Sequence, residues 1–178
     1  MALRPGKCYN KPYKTPYTRV AIRVPRKSYV KGVPPSKIVH FEMGTKGFYQ
    51  KVFHLVIDRS IAIRSNALEA ARIAVHKYLS DTIGAANYFF KVRVVPYHVL
   101  RENPLATGAG ADRFSQGMRR AFGKPIGVAA LVDKGQKIMS VYVNEGHEAH
   151  AKEALRRAYN KLPGKYRIVE EPFNQEVK

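Results

Sequence analysis

The order of elements along the chain is its tightest constraint on fold, because the same order occurs twice. "KVFHLVIDRSIAIR" (51–64) predicts two consecutive strands or one bent strand, with apolar residues alternating in places. "SNALEAARIAVHKYLSDTIG" then predicts a helix, in which Leu68, Ala71, Val75, Leu79 and Ile83 form one apolar stripe. Asn66 and Glu69 are a candidate capping pair for it, and Gly84 a candidate stop. "NYFFKVRVVP" predicts a strand with Phe90, Val92 and Val94 on one face and Lys91 and Arg93 on the other, continued by "YHVLR" after Pro96. In the second half, "GVAALV" and "KIMSVYV" predict strands joined by the turn "DKGQ". "EGHEAHAKEALRRAYNKL" predicts a helix stopped by Pro163-Gly164, and "KYRIVEE" a closing strand. Strand–strand–helix–strand therefore recurs over 52–95 and 127–169, an echo of topology without residue-by-residue identity. One apolar stripe per helix and one apolar face per strand set make an α+β sandwich the economical arrangement, with two main helices on a mostly antiparallel or mixed sheet. A loop and a short helix at 113–122 join the halves. The expected single domain has an extended basic N-terminal arm (1–41), a globular part (42–171) with a mobile loop at 101–112, and a short tail (172–178).

Charge constrains the partner. The chain has 178 residues, with 32 Lys and Arg against 13 Asp and Glu, a net charge of +19. Such a monomer repels itself unless a polyanion neutralises it, and nucleic acid is the first candidate. No apolar run approaches the length of a membrane span, and "MALRPGKCYNK" lacks the apolar core of a signal peptide, so a cytoplasmic location is expected and no membrane partner. Residues 1–41 carry ten basic side chains and no acid. Prolines interrupt any helix there, and Tyr9, Tyr13, Tyr17 and Tyr29 are interleaved with the charge. The segment reads either as a solubilising tail or as an arm laid on a nucleic-acid backbone, its cations on phosphates and its tyrosines offering stacking faces.

Enzymatic readings find incomplete residue sets. In "LRENPLATGAGADRF", Gly108 and Gly110 fit the first positions of a dinucleotide fingerprint, but Arg113 stands where the third glycine allows close helix–strand packing. In "GMRRAFGKP", Gly117 and Gly123 are too far apart for a phosphate-binding loop, and Pro125 supplies no hydroxyl for magnesium. Cys8 is the only cysteine, and His147 with His150 makes only half a zinc site. No catalytic residue, metal or cofactor is expected. What flanks the glycine loop is cationic: His98, Arg101, Arg113, Arg119, Arg120 and Lys124. Arginine forks match phosphates bidentately and stack on bases. The small residues of 102–111 offer little to anchor the loop, which is expected to be mobile when free.

"RPGKCY", "KIVHFEMG", "ALEAARIA", the stretch from "VVPYHVLRENPLATGAGADRF" through "SQGMRRAFGKPIGVAALVDKGQKIMSV", and "ALRRAYNKLP" resemble the archaeal and eukaryotic ribosomal large-subunit L-ten-e family, counterpart of bacterial L-sixteen. The resemblance covers essentially the whole chain, most specifically "GAGADR" and "AFGKP". The short stretch after the last strand looks like that of archaeal members. The resemblance implies a noncatalytic, rRNA-embedded sandwich near the base of the central protuberance that helps shape the aminoacyl-tRNA site. It implies neighbouring large-subunit proteins as partners, and no homo-oligomer. With the charge pattern, it predicts rRNA contacts at Arg4, Lys7, Lys11, Lys14, Arg19, Arg23, Arg26, Lys27, Lys37, Arg93, His98, Arg101, Arg113, Arg119, Arg120 and Lys124. It also implies that a loop comprising Glu102, Asn103, Pro104, Leu105, Ala106, Thr107, Gly108, Ala109, Gly110, Ala111 and Asp112 points toward tRNA near the peptidyl-transferase region. Eukaryotic relatives differ at "PLATG", so a backbone role transfers more readily than any side-chain role. The alternative is a free-standing nucleotide-binding enzyme or RNA-binding factor that uses the Gly-rich loop.

Overall fold

The computed structural model describes residues 4–11, 20–21, 23–103, 105–106, 108–115 and 117–177. Eight strands are present among them: β1 (Glu42–Gly44), β2 (Phe48–Ile57), β3 (Ile61–Arg64), β4 (Tyr88–Val92), β5 (His98–Glu102), β6 (Lys124–Val132), β7 (Lys137–Val143) and β8 (Tyr166–Glu176). The α-helices are α1 (Ser65–Ile83), α2 (Ala111–Phe114) and α3 (Glu148–Tyr159). One sheet runs β1-β4-β7-β2-β8 and a second runs β3-β6-β5, with every pairing antiparallel. The α+β expectation holds, with two sheets in place of one.

The two predicted halves interleave. β2 and β7 pair at the centre of the large sheet, β4 returns from α1 to flank β7, and β8 returns from α3 to flank β2. This is the split β-α-β order. β3 and β6 continue the central pair into the small sheet. "GVAALV" and "KIMSVYV" are therefore not a hairpin: β6 and β7 lie in different sheets. The bend is held by Gly135 N–H on Ile57 O at 2.8 Å and Lys134 N–H on Ser60 Oγ at 3.2 Å. "YHVLR" likewise does not prolong β4. Pro96 has no amide hydrogen to donate, and the chain crosses to pair as β5 with β6.

The α1 stripe is buried as expected, at Leu68, Ala71, Val75, Leu79 and Ile83. Ala151, Ala154, Leu155 and Ala158 of α3 join them over Phe53, Leu55, Ile57 and Val141. Burial of each large side chain stabilises the fold by about 1.5–3 kcal/mol. Asn66 and Glu69 do not cap α1. β3 runs straight into the helix through Arg64, and Glu69 instead receives the Arg72 guanidinium at 2.6 and 2.9 Å. Gly84 is the stop, at φ 77°. The expected tail is strand as far as Glu176, because Phe173 and Val177 close an aromatic cluster of Tyr49, Phe89 and Tyr142 on the helix-free face. Phe173 meets Tyr142 edge-on, ring centres 4.9 Å apart. The expected helix at 113–122 shrinks to the four residues of α2.

A polar row crosses the same helix-free face. Arg93 donates to Ser140 Oγ and, at 2.7 Å, to Tyr142 Oη. His54 Nδ1 lies 2.7 Å from Ser140 Oγ, and Nε2 3.4 Å from the Glu171 carboxylate, which also takes Lys137. Burial, with the nearby Lys137 charge, pushes His54 down to about 4. Burial and Arg101 lower His98 as well. Unfolded imidazoles titrate near about 6.5. Between those values the unfolded chain binds more protons, so stability is fully present above about pH 6.5 and is lost as pH falls toward 4. Thermal melts should show Tm lower by about 4–8 °C at pH 5 than at pH 7.5. The difference should shrink in His54→Gln. A flat Tm over this range would refute the account.

Candidate nucleic-acid interface

The small sheet carries the expected site. β5 and β6 pair down to Glu102 opposite Lys124, and between them the chain makes an excursion over 103–123. Its neck is fastened by side chains predicted to touch RNA. Arg101 turns back to donate to Phe122 O at 2.7 Å, with its guanidinium 3.6 Å from the centre of the Phe122 ring. Asn103 Nδ2 donates to Gly117 O at 3.3 Å. At Gly123 (φ 72°) an added Cβ would lie 2.4 Å from the backbone C and O of Glu102, so "AFGKP" needs its glycine where two backbones touch.

Glu102, expected in the tRNA-facing loop, holds the arm instead. It takes the Arg4 guanidinium and the Tyr9 hydroxyl, the latter at 2.7 Å. Burial and that bond push Tyr9 up to about 12, while Tyr9 and then Arg4 hold Glu102 below the usual carboxylate range. Arg64 adds a donor to Arg4 O at 2.9 Å and a guanidinium 5.9 Å from the Tyr9 ring centre. Ala62 N–H donates to Asn10 O at 3.0 Å. Further on, Val30 and Ile38 are buried, Ile38 within the main core. The described parts of the arm are thus anchored at both ends, and Tyr9 serves as an anchor rather than a stacking platform.

Outward-facing cations remain. Lys7, Lys11, Arg23, Arg26, Lys27 and Lys37 of the arm are exposed, as are Arg113, Arg119, Arg120 and Lys124 at the excursion. None of them forms an ion pair with a described carboxylate. The pairs that do form mostly knit the large sheet and its helices, as in Lys91–Glu42, Lys137–Glu171, Lys152–Glu170 and Arg156–Glu153. Arg93 is exposed but engaged by Ser140 and Tyr142. His98, expected at the RNA surface, is buried in β5. Lys14, Arg19, Pro104 and Thr107 lie outside the described residues. Leu105, Ala106, Gly108 and Ala109 are exposed, and α2 opens after Gly110 in the left-handed region. A four-residue helix there does not form the strand–turn–helix cradle that a dinucleotide needs.

Sequence reasoning missed Phe114 and Met118, 85% and 74% exposed beside those arginines. Phe114, Met118 and Phe122 are four residues apart and mimic a buried helical stripe, but the helix ends at Phe114, so the stripe never forms. Exposed aromatic and thioether groups among arginines suit stacking on bases. Two glycines test the neck. Gly117→Ala should cost about 1–2 kcal/mol, since its φ is 57° and the space around it is open. Gly123→Ala should cost more in urea unfolding and open the excursion to protease. Equal costs at the two positions would mean that the neck backbone shifts freely.

Comparison with known proteins agrees with this geometry. The family model described as ribosomal protein L16p/L10e matches residues 12–169. The chain is 52% identical to the large ribosomal subunit protein uL16 of Staphylothermus marinus, over 100% of this chain and 99% of that protein. It is 50% identical to that of Hyperthermus butylicus (100% and 98%) and 46% to that of Archaeoglobus fulgidus (100% and 98%). With an anchored basic arm, a cation-rich excursion and these full-length relatives, the chain belongs to the ribosomal protein L16p/L10e family.

Proposed function

We propose that the protein is a structural constituent of the large ribosomal subunit. It binds large-subunit rRNA through the arm and the small-sheet pole, and directs the loop 101–112 toward tRNA beside the peptidyl-transferase centre. The observation that carries this reading is the segregation of charge. Carboxylates pair with cations over the large sheet and helices, while the described parts of the arm and the excursion, Arg4 on Glu102 apart, present cations without a described carboxylate partner. A folded pole of unneutralised charge is unfavourable in isolation and favourable against phosphates. The neck supports the second part. It fixes where the excursion leaves the sheet, while its small residues let a backbone approach where bulkier ones would collide. The protein's contribution is position, not bond-making.

Two experiments test the two parts. Replacing Arg23, Arg26 and Lys27 with Gln should flatten the salt dependence of rRNA-fragment binding by about 0.7–0.9 log–log units for each phosphate that is no longer neutralised. An unchanged slope would make the arm a solubility segment. Excising 105–115 and bridging the gap with a short Gly-Ser linker keeps Arg101, Asn103, Gly117 and Gly123. Loop-length changes cost little entropy, so the variant should fold and enter large subunits. Its ribosomes should bind tRNA poorly. Normal tRNA binding and translation would reduce the excursion to a connector.

A further inference from the structure

A cavity of about 390 Å³ lies where the arm, the start of α1 and the small sheet meet. Lys37 and Arg64, with Ser65 and Asn66 at the opening of α1, supply cationic and polar lining. Leu100, Ile126 and Val128 of the small sheet and Pro34 and Pro35 of the arm supply its apolar lining. The one carboxylate in the lining, Glu102, is already neutralised by Arg4. Lys37 is exposed with no described carboxylate beside it. Asn66 Oδ1 is buried without a hydrogen-bond partner among the described residues, a cost that a donor arriving in the cavity would offset. A lining that combines apolar side chains with two cations matches a flat heteroaromatic base attached to a phosphate. The volume sits at the low end of the roughly 300–1,000 Å³ of small-molecule sites, room for one nucleotide and not for a duplex.

We infer that this cavity takes a single nucleotide splayed out of the rRNA, its base against Leu100, Ile126 and the proline pair, and its phosphate on Lys37 and Arg64. The inference rests on the rRNA-binding reading above. It extends that reading from the outward-facing cations to a pocket formed because the arm is folded back by Glu102. Sequence-tolerant recognition of an unstacked base by an apolar slot and a phosphate by cations is a recurrent way for protein to hold single-stranded RNA.

Gly127 makes the cavity testable. It lines the cavity, pairs with Leu100 and shares its face of β6 with Ala129 and Leu131, the face on which Tyr9 packs. An added Cβ there meets nothing within 4 Å, and its φ lies outside the left-handed range, so a side chain can grow into the space without strain. Gly127→Phe should fill the cavity, and Gly127→Ala should leave it open. Large subunits lacking the protein are reconstituted with each version, and the rRNA is probed with base-specific reagents. Wild type and Gly127→Ala should protect one isolated unpaired base that Gly127→Phe leaves reactive, within an otherwise unchanged footprint. Binding of an rRNA fragment by Gly127→Phe should weaken about tenfold. If the two variants give identical footprints and affinities, the cavity is no nucleotide site. If wild type gives no footprint at all, the rRNA-binding reading itself fails. Should Gly127→Phe not fold, Lys37→Gln paired with Ile126→Asp must expose the same base, and a base still protected overturns the proposal. Titrating the free protein with AMP and with inorganic phosphate, followed by amide shifts at Leu100 and Gly127, separates the sources. Millimolar or weaker binding is expected for both, and micromolar AMP binding would overturn the rRNA assignment in favour of a free nucleotide.

Discussion

The antiparallel ribbon formed by β2–β3 against β7–β6 is the pairing on which the rest of the molecule depends. Its lower half, β2 with β7, is the centre of the large sheet, and its upper half, β3 with β6, is the core of the small one. The hydrogen bonds at Ile57, Ser60, Lys134 and Gly135 hold the bend between them. A pleated strand presents alternate side chains to opposite faces, so this ribbon supplies two sheets with inward residues at once. Phe53, Leu55 and Ile57 face the helices below the bend, and Ile61, Ile63, Ala130 and Val132 join the same core above it. Both helices then return their strands to the flanks of the large sheet, and only β5 and the excursion are left to extend the small one.

That division of labour separates charge as well as structure. The large sheet and its helices use carboxylates to bridge elements, as Glu170 of β8 does between Lys51 of β2 and Lys152 of α3. Among the described residues the small-sheet pole has one such use, and it is internal: Glu102 draws Arg4 and Tyr9 onto the sheet and so folds the arm back over β3. The cost of gathering cations at one end is self-repulsion, which is tolerable when the partner is a polyanion and the ion pairs that remain serve to fix the geometry of the cationic surface. Arg101 and Arg4 look from sequence like two more phosphate ligands. In the structure they hold, through Glu102 and Phe122, the segments that carry the outward-facing cations.

The sequence by itself determined the local elements and the partner class. The α1 stripe, the Gly84 stop and the alternation of Phe90 and Val92 depend on neighbours within one turn or one strand, so periodicity suffices to read them. The +19 charge and the acid-free arm point to a polyanion whatever the fold. The family motifs in "GAGADR" and "AFGKP" marked the excursion as the distinctive part of the chain. Only the tertiary structure decided which cations face outward and which are spent inside, because that depends on pairings between residues far apart: Arg4 with Glu102, Arg101 with Phe122, and the burial of His98 on β5 beside β6. It also decided that two apparently consecutive strands belong to different sheets and that the expected tail completes an aromatic cluster. A strand's period is the same in either sheet, and its partner is chosen by long-range packing and by the positions of turns, information that no local window of sequence contains.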